Sequence, residues 1–272
     1  MTIRGTDTRV THWPDGATFA AAFSFDVDAE EGWIGDDPAN ADRPGVLSQG
    51  RYDAKVGVPS VLDLLSNHGV RATFFVPGRV AERHPDTVRA IVAAGHELAH
   101  HGYTHRSVLS LGPDEEREEL VRGLDVLGGF GATVTGYRSP AWDLSPATLD
   151  LVAEHGFRYA SNLMDDVRPY LHEGIDLVEV PVSWTLDDAP HMWFDAESWN
   201  KTIVSNDQIE RLWLDELEGT RRLGGSWVLT MHPQLSGRPG RLLLLDRMLA
   251  AVKEREGVWL TTVHEIAEAA RR

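Results

Sequence analysis

The sequence predicts an α/β fold wound into a closed or nearly closed barrel, and three observations carry that prediction. Apolar strand-like runs alternate with amphipathic helix-like runs along the whole 272-residue chain. One of them, ATFFVPG at 72–78, is apolar throughout, as suits a strand buried on both faces of a parallel sheet. The alternation yields about eight strands and about six helices, which fits a barrel better than a doubly wound open sheet.

The first strand spans 18–25. A helix over 58–68 follows, with Pro59 near its first turn and Gly69 at its end. After the apolar strand at 72–78, residues 86–95 form a helix that Gly95 stops. HELAHHG (96–102) continues the pattern, followed by a helix through 115–127 and the strand TVTGYRSP (133–140). Next come the helix SPATLDLVAEHG (145–156) and the strands FRYASN (157–162) and LVEVPVSW (177–184). The last third holds a helix at 209–223, SWVLTMHPQ (226–234), a helix at 241–254 and VWLTTV (258–263). Residues 34–50, rich in Gly, Pro and Asp, read as a long loop on the face where barrel loops build active sites. With no repeat, low-complexity tract or linker, residues 1–272 read as a single domain.

Composition narrows the function. Hydrophobic residues make up 42% of the chain, enough for one large core. There is no cysteine, so disulfides and thiolate metal sites are excluded, and any metal must be held by His, Asp or Glu. A formal charge of −16 argues against nucleic acid or an anionic membrane surface as partner. No window reaches the roughly 20 apolar residues of a membrane span. The start, MTIRGTDTRVTHWPDG, is polar and lacks a signal peptide's apolar stretch, so a cytoplasmic location is expected.

The chemistry concentrates at predicted strand ends. Asp26 and Asp28 in FSFDVDAEEGW are two apart, so on a strand both carboxylates enter one space. Like charges that close repel unless a cation sits beside them. Alone, the pair reads equally as solvated acids or helix caps. HELAHHGYTH then supplies His101 and His105, which share a face if the segment turns as a helix and can chelate one ion. One carboxylate and two histidines leave open positions on a metal, as catalysis requires. Non-haem iron oxygenases use a similar ligand set, but the β/α rhythm and the spare carboxylate favour hydrolysis, in which that carboxylate acts as base. Arg138 in GYRSPAW could pair with the non-ligating aspartate, and His232 in VLTMHPQ could protonate a leaving amine. Glu30 and Glu31 read as solvated loop charges.

FDVD, GHELAHHGYTH, GYRSPAW and TMHPQ, in this order, resemble the motifs of the polysaccharide deacetylases, the NodB homology domain. The resemblance runs from about Phe19 to His264. It implies a distorted (β/α) barrel of about seven strands that hydrolyses N-acetyl or O-acetyl groups with one divalent metal. Zinc is the first choice, with cobalt, iron, nickel or manganese as substitutes. It implies Asp26 as general base, Asp28, His101 and His105 as metal ligands, Arg138 as partner of the base and His232 as general acid. A backbone N–H near Trp142 would help the metal hold the oxyanion. Asp165 or Asp166 in SNLMDDVRPY would orient His232, and Trp33, Trp142, Trp184, Trp193 and His191 would wall the pocket.

Two departures narrow the resemblance. Val27 separates aspartates that are usually adjacent, and Gly102 occupies the usual Thr/Ser place between the histidines. These features, with SWTLDDAP and HPQLSGRPGR, look like an intracellular branch of cyclic imide hydrolases, allantoinase-like and peptidoglycan deacetylase-like proteins, which tend to be homotetramers. The substrate is then a small cyclic or linear amide or imide, or an N-acetylated sugar. A catalytically silent binding or scaffold protein on the same fold is the alternative. It predicts erosion of a catalytic position, and none of the six is eroded.

Overall fold

The computed structural model describes residues 13–194 and 203–271; most of the polar N-terminal segment lies outside them. Among these residues nine strands form one sheet: β1 (Phe19–Asp26), β2 (Thr73–Val76), β3 (Glu97–His100), β4 (Gly136–Tyr137), β5 (Tyr159–Ala160), β6 (Tyr170–Leu171), β7 (Val178–Glu179), β8 (Ser226–Met231) and β9 (Val258–Leu260). Their order is β6-β7-β5-β4-β3-β2-β1-β8, with β9 also paired to β1. Every pairing is parallel except β6 with β7. Without the β6 hairpin strand and β9, seven parallel strands remain, the frame of the expected distorted barrel. The gap between β8 and the β7 side is stitched by a parallel bridge from Asp187 to Thr230 and by the Ser226 amide on the Val167 carbonyl (2.8 Å).

Strand alternation explains how the barrel fills. Along the wholly buried β1, Phe19, Ala21, Phe23 and Phe25 pack outward into the cluster beneath the helices. Ala20 and Ala22 point inward with Phe75, Tyr159, Val178 and Val228. Small residues on β1 let those larger rings meet inside a narrow barrel. Further along the same inward face, Ala gives way to Ser24 and then Asp26, so the core turns polar towards the strand ends.

Helices follow their expected positions closely: Val58–His68, Pro85–Ala93, Pro113–Gly128, Asn206–Leu223 and Pro239–Lys253. The second-half strands are shorter than expected, because the chain leaves the ladder early. Past Tyr137 and Ala160, backbone amides turn to side chains: Ser139 donates to Asn162 Oδ1, and Asn162 and Leu163 donate to Glu179 Oε1. The loop expected at 34–50 is largely helical, with a 3₁₀ turn at Pro38–Asp42 and an α-helix at Pro44–Tyr52. Its prolines sit in first turns, where a missing N–H costs nothing, and the Asp37 side chain accepts from the Ala39 amide. Glu30 and Glu31 are buried and not solvated: Glu30 meets His84 Nε2 at 2.7 Å and Glu31 meets Arg83 Nη2 at 2.8 Å.

Candidate active site

Asp26 closes β1, and Asp28 lies two residues beyond on the same inward side. Val27 between them supplies the outward half of the alternation: it is fully buried in the outer core, and its amide donates to the Phe75 carbonyl (2.9 Å). The inserted valine therefore prolongs strand geometry until both carboxylates enter the barrel mouth. Past Asp28 the chain turns sharply at Ala29, whose φ of 44° is unusual for a residue with a side chain, and buried Asp53 takes its amide at 2.9 Å.

His101 follows β3 directly. Its Nδ1 lies 2.7 Å from the Arg138 carbonyl; a carbonyl only accepts, so Nδ1 carries the hydrogen and Nε2 keeps its lone pair. That Nε2 is 3.5 Å from Asp28 Oδ1, and His105 Nε2 is 3.4 Å from the same oxygen. The two histidines converge, but not on a helix. Residues 101–105 double back through Gly102 and His105, at φ 73° and 59°. Glu119 holds the turn, accepting from the Tyr103 and Thr104 amides (3.1 and 2.7 Å) and the Thr104 hydroxyl (2.7 Å). Gly35 packs against it so closely that a Cβ there would stand 2.5 Å from the His105 carbonyl oxygen.

These three residues fit a divalent ion. Their ligand atoms lie within 4.8 Å of one another, and Asp28 Oδ1 and His105 Nδ1 are buried without a hydrogen-bond partner. The 3.4–3.5 Å separations match ligand-to-ligand spacing around a tetrahedral ion with bonds of about 2 Å. Burial pushes the Asp28 carboxyl up, yet His105, His232 and His101 outweigh it and hold the group well below the usual carboxylate range. Burial keeps His101 below the usual imidazole value despite Asp26 and Asp28, which favours the neutral form that metal binding needs.

Arg138 follows β4 and is fully buried. Its Nη1 donates to Asp26 Oδ1 (2.8 Å) and Ser24 Oγ (3.0 Å), and its Nη2 donates to Ser161 Oγ (3.1 Å). The guanidinium stacks 4.0 Å from the centre of the Phe75 ring. Asp26 Oδ2 is left facing His101 Nε2 at 3.8 Å.

His232 follows β8. Asp188, and neither Asp165 nor Asp166, contacts it. Asp188 Oδ1 lies 2.7 Å from His232 Nδ1, and the same carboxylate takes the His232 amide and the Ser236 hydroxyl. Asp165 instead accepts from the Tyr170 hydroxyl, and Asp166 from the Val167 and Arg168 amides. Burial lowers the His232 imidazole, but Asp188, Asp187 and Asp28 raise it well above its ordinary value. Asp187, 3.7 Å from the ring, has its carboxyl pushed by burial up to about 7.

A cavity of about 520 Å³ joins these groups. Trp142 and Trp184 stack at 4.4 Å along one wall, and Trp193 meets His232 edge-on at 5.8 Å. Trp142 and Ala141 both have positive φ, which aims the indole into the cavity mouth. The Trp142 amide donates to the Ser139 carbonyl (3.0 Å), so it is not free to serve an oxyanion. Trp33 pairs with Trp193 (4.6 Å) and lines a neighbouring cavity instead. His191, on the short helix Ala189–Met192, lines neither, and its Nε2 is buried without a partner. Sequence reasoning missed Asp188 and Asp53; the adjacent acids of SWTLDDAP were the available signal for Asp188.

Known proteins resemble this chain in sequence and fold. The family described as Polysaccharide deacetylase matches residues 50–160. Peptidoglycan deacetylase from Helicobacter pylori is 32% identical over 277 residues, covering 91% of this chain and 94% of that protein. The crystal structure of a Mycobacterium smegmatis protein assigned to the polysaccharide deacetylases superposes with a TM-score of 0.92 at 46% identity, covering 95% of this chain and 92% of that one. The allantoinase Puue shares the fold, with a TM-score of 0.85 at 24% identity over 97% of this chain and 94% of that one. The chain belongs to the polysaccharide deacetylase family, hydrolases of carbon–nitrogen bonds other than peptide bonds.

Proposed function

We propose that the chain, acting as one unit from Asp26 to His232, removes the acetyl group from an N-acetylated amino sugar. Asp28, His101 and His105 would hold one divalent ion, zinc by preference. The observation that carries this reading is the buried Asp28 oxygen that two histidine nitrogens approach but do not satisfy. When bound, the ion would polarise the amide carbonyl and acidify the attacking water. Asp26, paired by Arg138, takes the proton from that water as it adds to the carbonyl carbon. His232, with Nδ1–H directed at Asp188 and its imidazole held above its ordinary value by the neighbouring acids, would give a proton from Nε2 to the amine as the C–N bond breaks. Acetate and a free amine leave. Relatives named as peptidoglycan deacetylases support the sugar assignment.

A second reading, a small cyclic or linear amide, is favoured by the cavity: about 520 Å³ beside a stacked tryptophan pair accommodates one planar ring. The sequence features of the intracellular branch add a cytoplasmic homo-oligomer, with a tetramer expected. Among the described residues no helix is long and apolar enough to cross a membrane.

The test compares N-acetylglucosamine oligomers with succinimide, hydantoin and allantoin on metal-loaded protein, alongside elemental analysis. Acetate release from the sugars with one ion per chain is expected. Ring opening without acetate release would move the assignment to the second reading, and full activity without metal would sink both.

A further inference from the structure

On the far side of the Trp33–Trp193 pair, a second cavity of about 210 Å³ is lined by Gln49, Gln234, Arg238 and Arg241 together with the two indoles. Gln234 is 1% exposed, yet neither its Oε1 nor its Nε2 has a hydrogen-bond partner. A buried amide in that condition takes its partners from outside the chain, and here it faces the cavity.

Of the two guanidiniums beside it, Arg238 has both Nη atoms without a partner among the described residues, and Arg241 is paired only to neutral oxygens. Arg238 donates Nε to the Gln234 carbonyl (3.0 Å) and lies 3.6 Å from the centre of the Tyr52 ring. Arg241 donates Nη1 to Asn206 Oδ1 and Nη2 to the Val204 carbonyl (2.6 Å). Every one of these acceptors is neutral, and among the described residues neither arginine forms an ion pair. The chain carries 42 acids against 26 Lys and Arg. Two partly buried arginines without an ion pair in one cavity are an arrangement suited to an outside anion. Across Trp193 the field reverses: Asp26, Asp28, Asp36 and Asp187 line the catalytic cavity, with no Lys or Arg among its described walls.

We propose that this second cavity binds a carboxylate or phosphate group. Arg238 would present its free Nη atoms as a fork, Gln234 would donate its amide N–H, and the indole walls would limit competition from water. The anion is either carried by a substrate whose amide occupies the catalytic cavity or bound as a separate small ion. Only the first source rests on the proposed deacetylase reading.

Two measurements on the metal-loaded full chain decide this. Tryptophan fluorescence is titrated with inorganic phosphate and with succinate at ionic strength fixed by sodium chloride. Saturable binding is expected in the natural chain, weakened about tenfold or more in Arg238→Gln. Gln49→Glu, at the exposed rim and harmless to packing, should weaken it severalfold through like-charge repulsion. Absence of saturation in the natural chain, or unchanged binding in both variants, overturns the proposal. The second measurement is kcat/KM on neutral di-N-acetylchitobiose against the carboxylate-bearing disaccharide of N-acetylglucosamine and N-acetylmuramic acid. A preference for the carboxylate that disappears in Arg238→Gln places the anion on the substrate. No preference, with phosphate still saturating, identifies a separate ion. If neither sugar turns over while phosphate saturates, the deacetylase reading fails and the anion site stands.

Discussion

The two sides of the catalytic cavity are built on opposite rules. On one side Asp28, His101 and His105 crowd together with an oxygen and a nitrogen lacking partners. On the other, Asp188 takes the His232 ring, the His232 amide and the Ser236 hydroxyl, leaving the pair complete. Folding tolerates the first only if something external completes it, since buried polar groups are otherwise matched within the chain. The second is already fully hydrogen-bonded, as the proposed proton donor requires. The incompleteness of one side therefore separates a binding site from a positioning device, although both are clusters of His and Asp.

The largest effect should come from removing the incomplete side. Asp28→Ala is expected to lose the metal in elemental analysis and to lower acetate release about 10³-fold or more, several kcal/mol of barrier. Asp26→Asn should fall nearly as far, about 10²- to 10⁴-fold, while still holding metal; loss of metal there would mean that the two aspartates have exchanged roles. Asp188→Asn tests the complete side. It should keep the metal and slow N-acetyl amides about 10²-fold, with a much smaller effect on activated aryl esters, whose leaving groups need no proton. Equal slowing of both substrates would remove the proton-donor role from His232.

Gly102→Ala separates backbone from chemistry. The nearest atom to an added Cβ is 3.5 Å away, so the cost is the left-handed φ of 73° alone, about 1–2 kcal/mol in thermal unfolding. Metal affinity should weaken while the environment of His232 stays unchanged by NMR. An effect on stability alone, with none on turnover, lies outside both sides at His96, where burial and then Arg71 hold the imidazole down at about 4. Its Nδ1 accepts from the Ala72 amide, which needs the neutral ring. Between pH 6.5 and 4 the unfolded chain takes up a proton that the folded chain refuses, so stability falls as pH drops through that window. The slope is at most about 1.4 kcal/mol per pH unit, and less because the ring is partly exposed. His96→Gln should flatten it, and an unchanged slope in denaturant titrations would assign the acid sensitivity elsewhere.

Much of the site is legible in the sequence because parallel strands deliver it. Asp26, Asp28, His101, Arg138 and His232 each lie at or just past a strand's last residue, where a change from apolar run to polar residue marks the barrel mouth. What escaped depends on packing between distant segments. His101 and His105 have helical spacing, but Gly102, Glu119 and Gly35 make the segment a reversed turn. Asp165 and Asp166 read as plausible partners of His232, yet the segment carrying them ends on Tyr170 and local amides. Glu30 and Glu31 look like loop charges until Arg83 and His84 are brought over them.

By itself the sequence determined the alternation of strands and helices, the absence of thiolate chemistry and which aspartates, histidines and arginine stand at the strand ends. These follow from local periodicity and residue type, which survive without knowledge of neighbours. Only the tertiary structure decided that Asp188 serves His232, that Arg138 is wholly buried against Asp26, and that Gln234 and two arginines share a second cavity. The first two join segments 44 and 112 residues apart, and the second cavity closes only because Trp33 and Gln49 reach it from the other end of the chain. Such contacts exist only once β1, β4 and β8 have been drawn around one barrel mouth.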